Sequence, residues 1–305
     1  MKAVVNIEDV SKIIKGRKII DSLSFQVNEG EVFGFLGPNG AGKTTTIRMI
    51  VGLIGITSGD IKILGSSIQS DFEKAIKHVG AIVENPEMYK FMSGYQNLLH
   101  FARMSEGITK EKIAETVEFV GLTDRIHDKV KTYSLGMRQR LGLAQCLLHD
   151  PKVLILDEPT NGLDPAGIRE IRDHVRKLAR EKGMAVIVSS HLLSEMEMMC
   201  DRVGIIQNGK LIDIQSVNDF VQEEGRLYEI EVDAPAQAEQ TMKRLYPGQS
   251  IAINNQSIVV TIEKENVPFL VKELVHDGLN IFSIQETTRT LEDRFLEVTS
   301  GKEGK

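Results

Sequence analysis

No stretch of this sequence approaches the roughly 20 consecutive apolar residues that an α-helix needs to cross a bilayer. That excludes a helical membrane span. The first residues, Met1-Lys2-Ala3-Val4-Val5-Asn6, lack the apolar core of a secretory signal, so the chain is expected to stay in the cytosol. Cysteine is scarce. Cys146 and Cys200 lie far apart and fit no metal spacing, which argues against a disulfide scaffold or a zinc site and leaves buried, reduced thiols. Repeats of solenoid period and low-complexity segments are missing, and only Ser300 to Lys305 reads as a frayed polar tail. Excess positive charge is also missing: Lys and Arg total 37 against 43 Asp and Glu, a net charge of −6. A broad nucleic-acid footprint is therefore not expected.

What remains is a globular composition, 41% hydrophobic and 26% charged over 305 residues, enough for about two domains. Leu23, Phe25 and Val27 alternate with Ser24, Gln26 and Asn28 as in a half-buried strand that turns at Glu29-Gly30. A continuous apolar run, Val32 to Leu36, leads into the glycine-rich Gly37 to Gly42. A helix-like stretch follows from Lys43 to about Leu53, with its exit at Thr57-Ser58-Gly59. From Pro86 to Val130 the spacing is helical. Ser93 and Gln96 form a capping box, and Ile113, Val117 and Val120 share a face. Val153 to Leu156 and Ala185 to Val188 are uniformly apolar, as strands of a parallel sheet covered on both faces are.

Past Gly225 the pattern becomes strand (Tyr228, Ile230, Val232), helix (Ala236 to Leu245), hairpin (Ile251 to Ile262), helix (opened by Pro268, closed by Gly278) and strand (Ile281 to Ile284). That β-α-β-β-α-β order matches a ferredoxin-like unit. A last short helix is expected to start at Thr290-Leu291-Glu292-Asp293.

Gly37-Pro38-Asn39-Gly40-Ala41-Gly42-Lys43-Thr44 satisfies the phosphate-loop pattern, between a strand and a helix as the chemistry requires. Glycines let backbone N–H groups turn toward phosphate oxygens, and the helix N-terminus adds positive potential. Lys43 supplies a point charge to the β- and γ-phosphates, and the Thr44 hydroxyl can ligate Mg²⁺; Thr45 follows within the same ATP-binding stretch.

The class of P-loop protein is chosen by Tyr133-Ser134-Leu135-Gly136-Met137-Arg138-Gln139-Arg140, followed by Leu154-Ile155-Leu156-Asp157-Glu158-Pro159-Thr160. This pairing resembles the signature and Walker B motifs of ABC ATPases. The resemblance covers roughly the first 220 residues. It implies a P-loop NTPase of the ABC type, α/β with a mixed sheet core, an antiparallel β subdomain and a helical subdomain. The implied domains are residues 1–222 for nucleotide binding and 226–305 for a C-terminal α+β accessory domain.

The resemblance also implies roles. Asp157 would hold Mg²⁺, and Glu158 looks like the general base that polarises the attacking water. His191, after the strand Ala185 to Val188, resembles the switch histidine that contacts the γ-phosphate. Asn161-Gly162-Leu163-Asp164 looks like the D-loop. Ser134, Gly136 and Asp164 would contact ATP held by the opposite protomer of a head-to-tail dimer. The partners implied are a second nucleotide-binding subunit and a separate transmembrane permease, which would place the chain on the cytoplasmic face of the cell membrane.

Four positions depart from the commonest pattern of that family. Leu135 and Met137 stand in place of a glycine and a glutamine. Glu84 stands in place of the Q-loop glutamine, where a carboxylate could still ligate metal. Ile14 stands where an aromatic often stacks on adenine, at a loss of about 0.5–1 kcal/mol of stacking. Met88-Tyr89-Lys90-Phe91-Met92 corresponds to the region that receives the permease. The signature wording, Glu84 and the tail Thr290 to Leu296 together look like the drug, antimicrobial-peptide or bacitracin-resistance exporter branch. The alternative is a soluble ABC-type ATPase acting on the ribosome or DNA. A single P-loop, no sustained heptads and acidic charge weigh against it.

Overall fold

The computed structural model describes residues 2–217, 226–247, 249, 251–254 and 256–287. The chain divides into two compact units, Met1–Val217 and Asn218–Lys305. The expected helix from Thr290 and the tail Ser300 to Lys305 lie outside the described residues.

In the first unit, β1 (Ala3–Ile14) and β2 (Arg17–Asn28) form a long antiparallel hairpin, and β3 (Val32–Leu36) leads through the glycine-rich turn into α1 (Lys43–Ile50). Then come β4 (Ser58–Ile63), β5 (Ser66–Ser67), α2 (Phe72–Ile76) and β6 (Val79–Ile82). Helices α3 (Gly94–Ala102), α4 (Lys110–Phe119) and α5 (Leu135–Leu147) form the helical part. The unit closes with β7 (Val153–Asp157), α6 (Pro165–Lys182), β8 (Ala185–Ser190), α7 (Leu193–Met199), β9 (Arg202–Gln207) and β10 (Lys210–Ser216).

Two sheets result. An antiparallel sheet runs β2-β1-β4-β5, and a six-stranded sheet runs β10-β9-β3-β8-β7-β6. In the latter every pair is parallel except β10 with β9, so the sheet is mixed. Every residue of β3, β7 and β8 is buried, which explains their unbroken apolar runs. One apolar core joins both sheets through α1. Phe25 of β2 stacks on Phe33 of β3 at 5.0 Å, and Ile47, Met49 and Ile50 fill the space beside them.

Helix α1 stops at Ile50, short of the expected Leu53. Leu53 N–H bonds back to the Arg48 carbonyl at 2.8 Å and Gly52 takes φ +74°, the left-handed turn that ends helices. Ser58 and Gly59 open β4 rather than marking an exit loop.

The second unit contains β11 (Arg226–Val232), α8 (Pro235–Leu245), β12 (Ile251–Asn254), β13 (Ser257–Ile262), α9 (Val267–His276) and β14 (Ile281–Thr287). Its sheet order, β12-β13-β11-β14, is antiparallel throughout, the ferredoxin-like arrangement. Tyr228, Ile230, Val232, Ile258 and Val260 form its core with Ala238, Met242, Leu270 and Leu274 of the two helices.

Both cysteines are free and buried; burial pushes the Cys146 thiol up to about 12 and the Cys200 thiol higher still. Among the described residues, no helix is long and apolar enough to cross a membrane.

Helix α3 carries the expected capping box, with Gln96 N–H donating to Ser93 Oγ and Ser93 N–H to Gln96 Oε1. Asn97, fully buried, then clamps the preceding loop. Its Oδ1 accepts from Tyr89 N–H at 2.8 Å, and its Nδ2 donates to the carbonyls of Tyr89 and Ser93. Within this loop Met88 is buried, while Tyr89 and Phe91 are 42% and 69% exposed. Asn97→Ala would strand buried donors and acceptors at a cost of about 2–3 kcal/mol. Ser93→Ala would lose only a cap, about 1 kcal/mol. Urea unfolding of the two variants should show that order.

Candidate functional site

The parallel order β3-β8-β7 sets three strand ends side by side. Strand β3 delivers Gly37 to Lys43, β8 delivers Ser189, Ser190 and His191, and β7 delivers Asp157 and Glu158. Neighbouring strands lie about 4.8 Å apart, so side chains from all three ends can meet. Ligands of such sheets bind beyond the carboxyl ends of their strands.

Gly42 sits at φ +114°, and a Cβ there would lie 2.5 Å from Ile20 Cδ1, so only glycine fits the last step into α1. The loop is braced by Ala41 N–H on the Pro38 carbonyl and by Gly209 N–H on the Ala41 carbonyl. Lys43, the first residue of α1, is 5% exposed. Its Nζ donates to the carbonyls of Gly37, at 2.7 Å, and Pro38, and lies 3.3 Å from Glu158 Oε1. Glu158 Oε2 is 2.8 Å from His191 Nδ1. One carboxylate thus forks between a buried ammonium and an imidazole.

Glu158 adopts φ +49°, which costs a non-glycine residue about 1–2 kcal/mol. Its N–H is held by both the carbonyl and the Oγ of Ser189, at 3.2 and 3.0 Å. The Ser189 hydroxyl in turn donates to Asp157 Oδ1 at 2.6 Å. Ser189 is fully buried and Asp157 nearly so, so this bridge fixes the two carboxylates relative to each other. Ser189 belongs to no motif in the sequence; its one signal is its place at the end of the apolar run, two residues before His191.

Asn39, Gly40, Gly42, Lys43, Thr44, Thr45, Glu158, Asn161 and His191 line a cleft of 260 Å³. That is below the roughly 300–1,000 Å³ of pockets enclosing a drug-sized ligand. A second cleft, of 310 Å³, lies against the N-termini of α5 and α6, where Ser134, Leu135, Gly136, Gly162, Leu163 and Asp164 meet. The two clefts share no lining residue. Ser134 caps α5 by accepting from Met137 N–H, and Asp164 caps α6 by accepting from Gly167 N–H.

The remaining candidates lie elsewhere. Ile14 is 40% exposed beside the β1–β2 turn, paired with Arg17, and does not line the phosphate-loop cleft. Glu84 is exposed, at φ +65°, and pairs with Arg48 of α1; it does not line the cleft either. For a magnesium ion the cleft offers the Thr44 hydroxyl; Asp157, buried and bound by Ser189, ends β7 directly before the cleft-lining Glu158. Two hard oxygen donors suit an ion that keeps most of its shell for water and phosphate.

The sequence profile described as ABC transporter matches residues 20–161. The chain is 63% identical to the "Uncharacterized ABC transporter ATP-binding protein YhcH" of Bacillus subtilis (strain 168), over 98% of this chain and 97% of that one. It is 38% identical to the "Bacitracin transport ATP-binding protein BcrA" of Bacillus licheniformis, over 99% of both. A solved structure described as the ATP binding subunit of an ABC transporter superposes with a TM-score of 0.64 at 27% identity, over 72% of this chain and 92% of that one.

The Lys43 ammonium is the cation that the phosphate-loop cleft offers to an anion. Lys43→Ala should abolish measurable ATP binding in titration calorimetry while leaving the circular dichroism spectrum intact.

Proposed function

The chain belongs to the ATP-binding proteins of ABC transporters, and from that membership we propose how its residues divide the work of binding and hydrolysing ATP. The observation that carries the reading is the contact chain Lys43–Glu158–His191 across three adjacent strand ends.

ATP lies with its phosphates on backbone N–H groups between Asn39 and Thr45 other than that of Ala41, and Lys43 sits against the β- and γ-phosphates. Thr44 and Asp157 would hold Mg²⁺, which would neutralise phosphate charge; Glu84, bound to Arg48, lies outside the cleft lining. A γ-phosphate gives Lys43 a stronger anionic partner than a carboxylate. Glu158 Oε1 is thereby released to accept a proton from the attacking water, while Oε2 stays with His191. Water oxygen bonds to the γ-phosphorus, the bond to the β–γ bridging oxygen breaks, and ADP and phosphate result. His191 orients Glu158 and faces the phosphate it helps to cleave.

A single copy supplies only a phosphate cradle. The second cleft, where α5 and α6 begin, carries helix N-termini suited to an anion but stands apart from the first. We assign Ser134, Gly136 and Asp164 to the ATP of a second copy, so that nucleotide is bound between two chains in a head-to-tail dimer. Ser134 spends its oxygen on Met137 and keeps its hydroxyl proton for donation.

A separate membrane-spanning permease docks on the exposed Tyr89 and Phe91, which places the chain at the cytoplasmic membrane face. The cargo is a drug or antimicrobial peptide exported from the cell. Support comes from full-length similarity to a protein named for bacitracin transport. Those full-length transporter relatives leave no place for the ribosome- or DNA-directed alternative.

Glu158→Gln should bind ATP with unchanged affinity while turnover falls about 10²–10⁴-fold, the usual share of a general base. The same variant should form a dimer with ATP and not with ADP, read by light scattering. Near-parental turnover would remove Glu158 as the base, and a persistent monomer with ATP, even with the permease supplied, would remove the shared-nucleotide arrangement.

A further inference from the structure

Glu195, in the first turn of α7, is only 6% exposed. Two hydroxyls donate to the same carboxylate oxygen, Oε2: Thr160 Oγ1 at 2.5 Å and Ser190 Oγ at 3.0 Å. Both donors are themselves buried, at 4% and 1% exposure. Ser190 Oγ also accepts from Leu192 N–H at 3.0 Å, so the turn that carries His191 is tied on both sides through one hydroxyl. Thr160 lies in the turn that follows β7, three residues past its end at Asp157. It lies two residues after Glu158 and directly before Asn161, which lines the phosphate-loop cleft, and Gly162 to Asp164, which line the second cleft. Leu163 N–H bonds to the Thr160 carbonyl at 3.1 Å, so a shift of that loop pulls on Thr160.

Burying a carboxylate costs several kcal/mol, offset only by good hydrogen bonds. The Thr160 bond, at 2.5 Å, is in the short range of hydroxyl-to-carboxylate bonds, and the Ser190 bond, at 3.0 Å, is longer. Packing alone would be served as well by an apolar side chain of the same volume. What the carboxylate adds is a fixed distance between the turn after β7 and the end of β8, separate from the Ser189–Asp157 bridge.

We propose that Glu195 is a positioning residue for ATP hydrolysis, which locks Thr160 to Ser190 and so couples the Asn161–Asp164 loop to the His191–Glu158 pair. The coupling rests on the assignment of Glu158 and His191 given above. Its consequence is that the second cleft and the hydrolytic pair of the same chain move together. Contact of the loop with another copy is then reported to His191 through three side chains, without passing through the phosphate loop. Nucleotide affinity, set by Gly37 to Thr45, stays outside this linkage, whereas the rate of the chemical step depends on it.

The test uses the full chain and measures kcat and KM for ATP together with ATP affinity by calorimetry and the unfolding temperature. Thr160→Val keeps the side-chain shape and removes the hydroxyl; Thr160→Ser keeps the hydroxyl. Thr160→Val and Glu195→Gln should each lower kcat about 10–100-fold, the range for misplacing a catalytic group through its support, with ATP affinity held within about threefold. Thr160→Ser should retain kcat within about threefold, and Thr160→Val added to His191→Ala should cause no further loss. The proposal is overturned if Thr160→Val retains the parental kcat, if Thr160→Ser falls as far as Thr160→Val, or if affinity and kcat fall together. Parallel Glu158→Gln and His191→Ala controls separate the two levels. Normal turnover in both would overturn the hydrolytic assignment and this role with it. Impaired controls beside a normal Thr160→Val would overturn the positioning role alone.

Discussion

The placement of a nearly buried ammonium, Lys43, against carbonyl oxygens and one carboxylate is the constraint around which the first unit is arranged. A cation at 5% exposure needs partners, and here they are the Gly37 and Pro38 carbonyls and Glu158. To bring Glu158 there, β7 must end two strands from β3, with β8 between them, and the parallel register does this: Leu156 pairs with Val188 and Phe35 with Ser189. The strained backbone of Glu158 is held by the same intervening strand. The large core that joins both sheets makes such strain affordable at the site's edge.

The parts of the site that were legible in the sequence are those whose chemistry depends on neighbours along the chain. The phosphate loop needs glycines and a lysine at fixed spacing between a strand and a helix, and Gly37 to Thr44 form that turn. Asp157 and Glu158 could be placed because an unbroken apolar run ends at them. Ser93 and Gln96 formed their capping box for the same local reason. In the second unit, alternation in Tyr228, Ile230 and Val232 and the positions of Pro268 and Gly278 were enough to order the elements.

What stayed hidden depends on residues distant in sequence. Glu84 stands at the place of a family glutamine, yet its partner is Arg48, and no local pattern announces that pair. Ile14 pairs with Arg17 at the end of the β1–β2 hairpin, outside the lining of the phosphate-loop cleft. Ser189, Ser190, Thr160 and Glu195 are ordinary polar residues in sequence. They acquire roles only because β7 and β8 pair and α7 folds back over their ends. The Ser189 and Thr160 hydroxyls meet their partners across 32 and 35 residues of sequence, beyond the reach of any local pattern.

Leu135 shows how a departure from the common signature is absorbed. It opens α5 in the place of the commonest signature's glycine, and its Cδ2 lies 3.2 Å from where a Cβ on Gly162 would stand. Gly162, at φ +76°, presents no side chain there, so the leucine occupies space that the loop leaves open. Leu163 approaches Gly136 from the other side, its Cδ2 3.9 Å from the corresponding Cβ position. Each leucine thus lies over a glycine of the opposite segment, and the N-termini of α5 and α6 are brought together by apolar contact rather than by charge. Since both helix starts stay capped by their own Ser134 and Asp164, the substitution alters the packing between them without consuming the donors that face outward. The capped starts of α5 and α6 line one cleft, and a leucine over each facing glycine keeps the two segments in contact there.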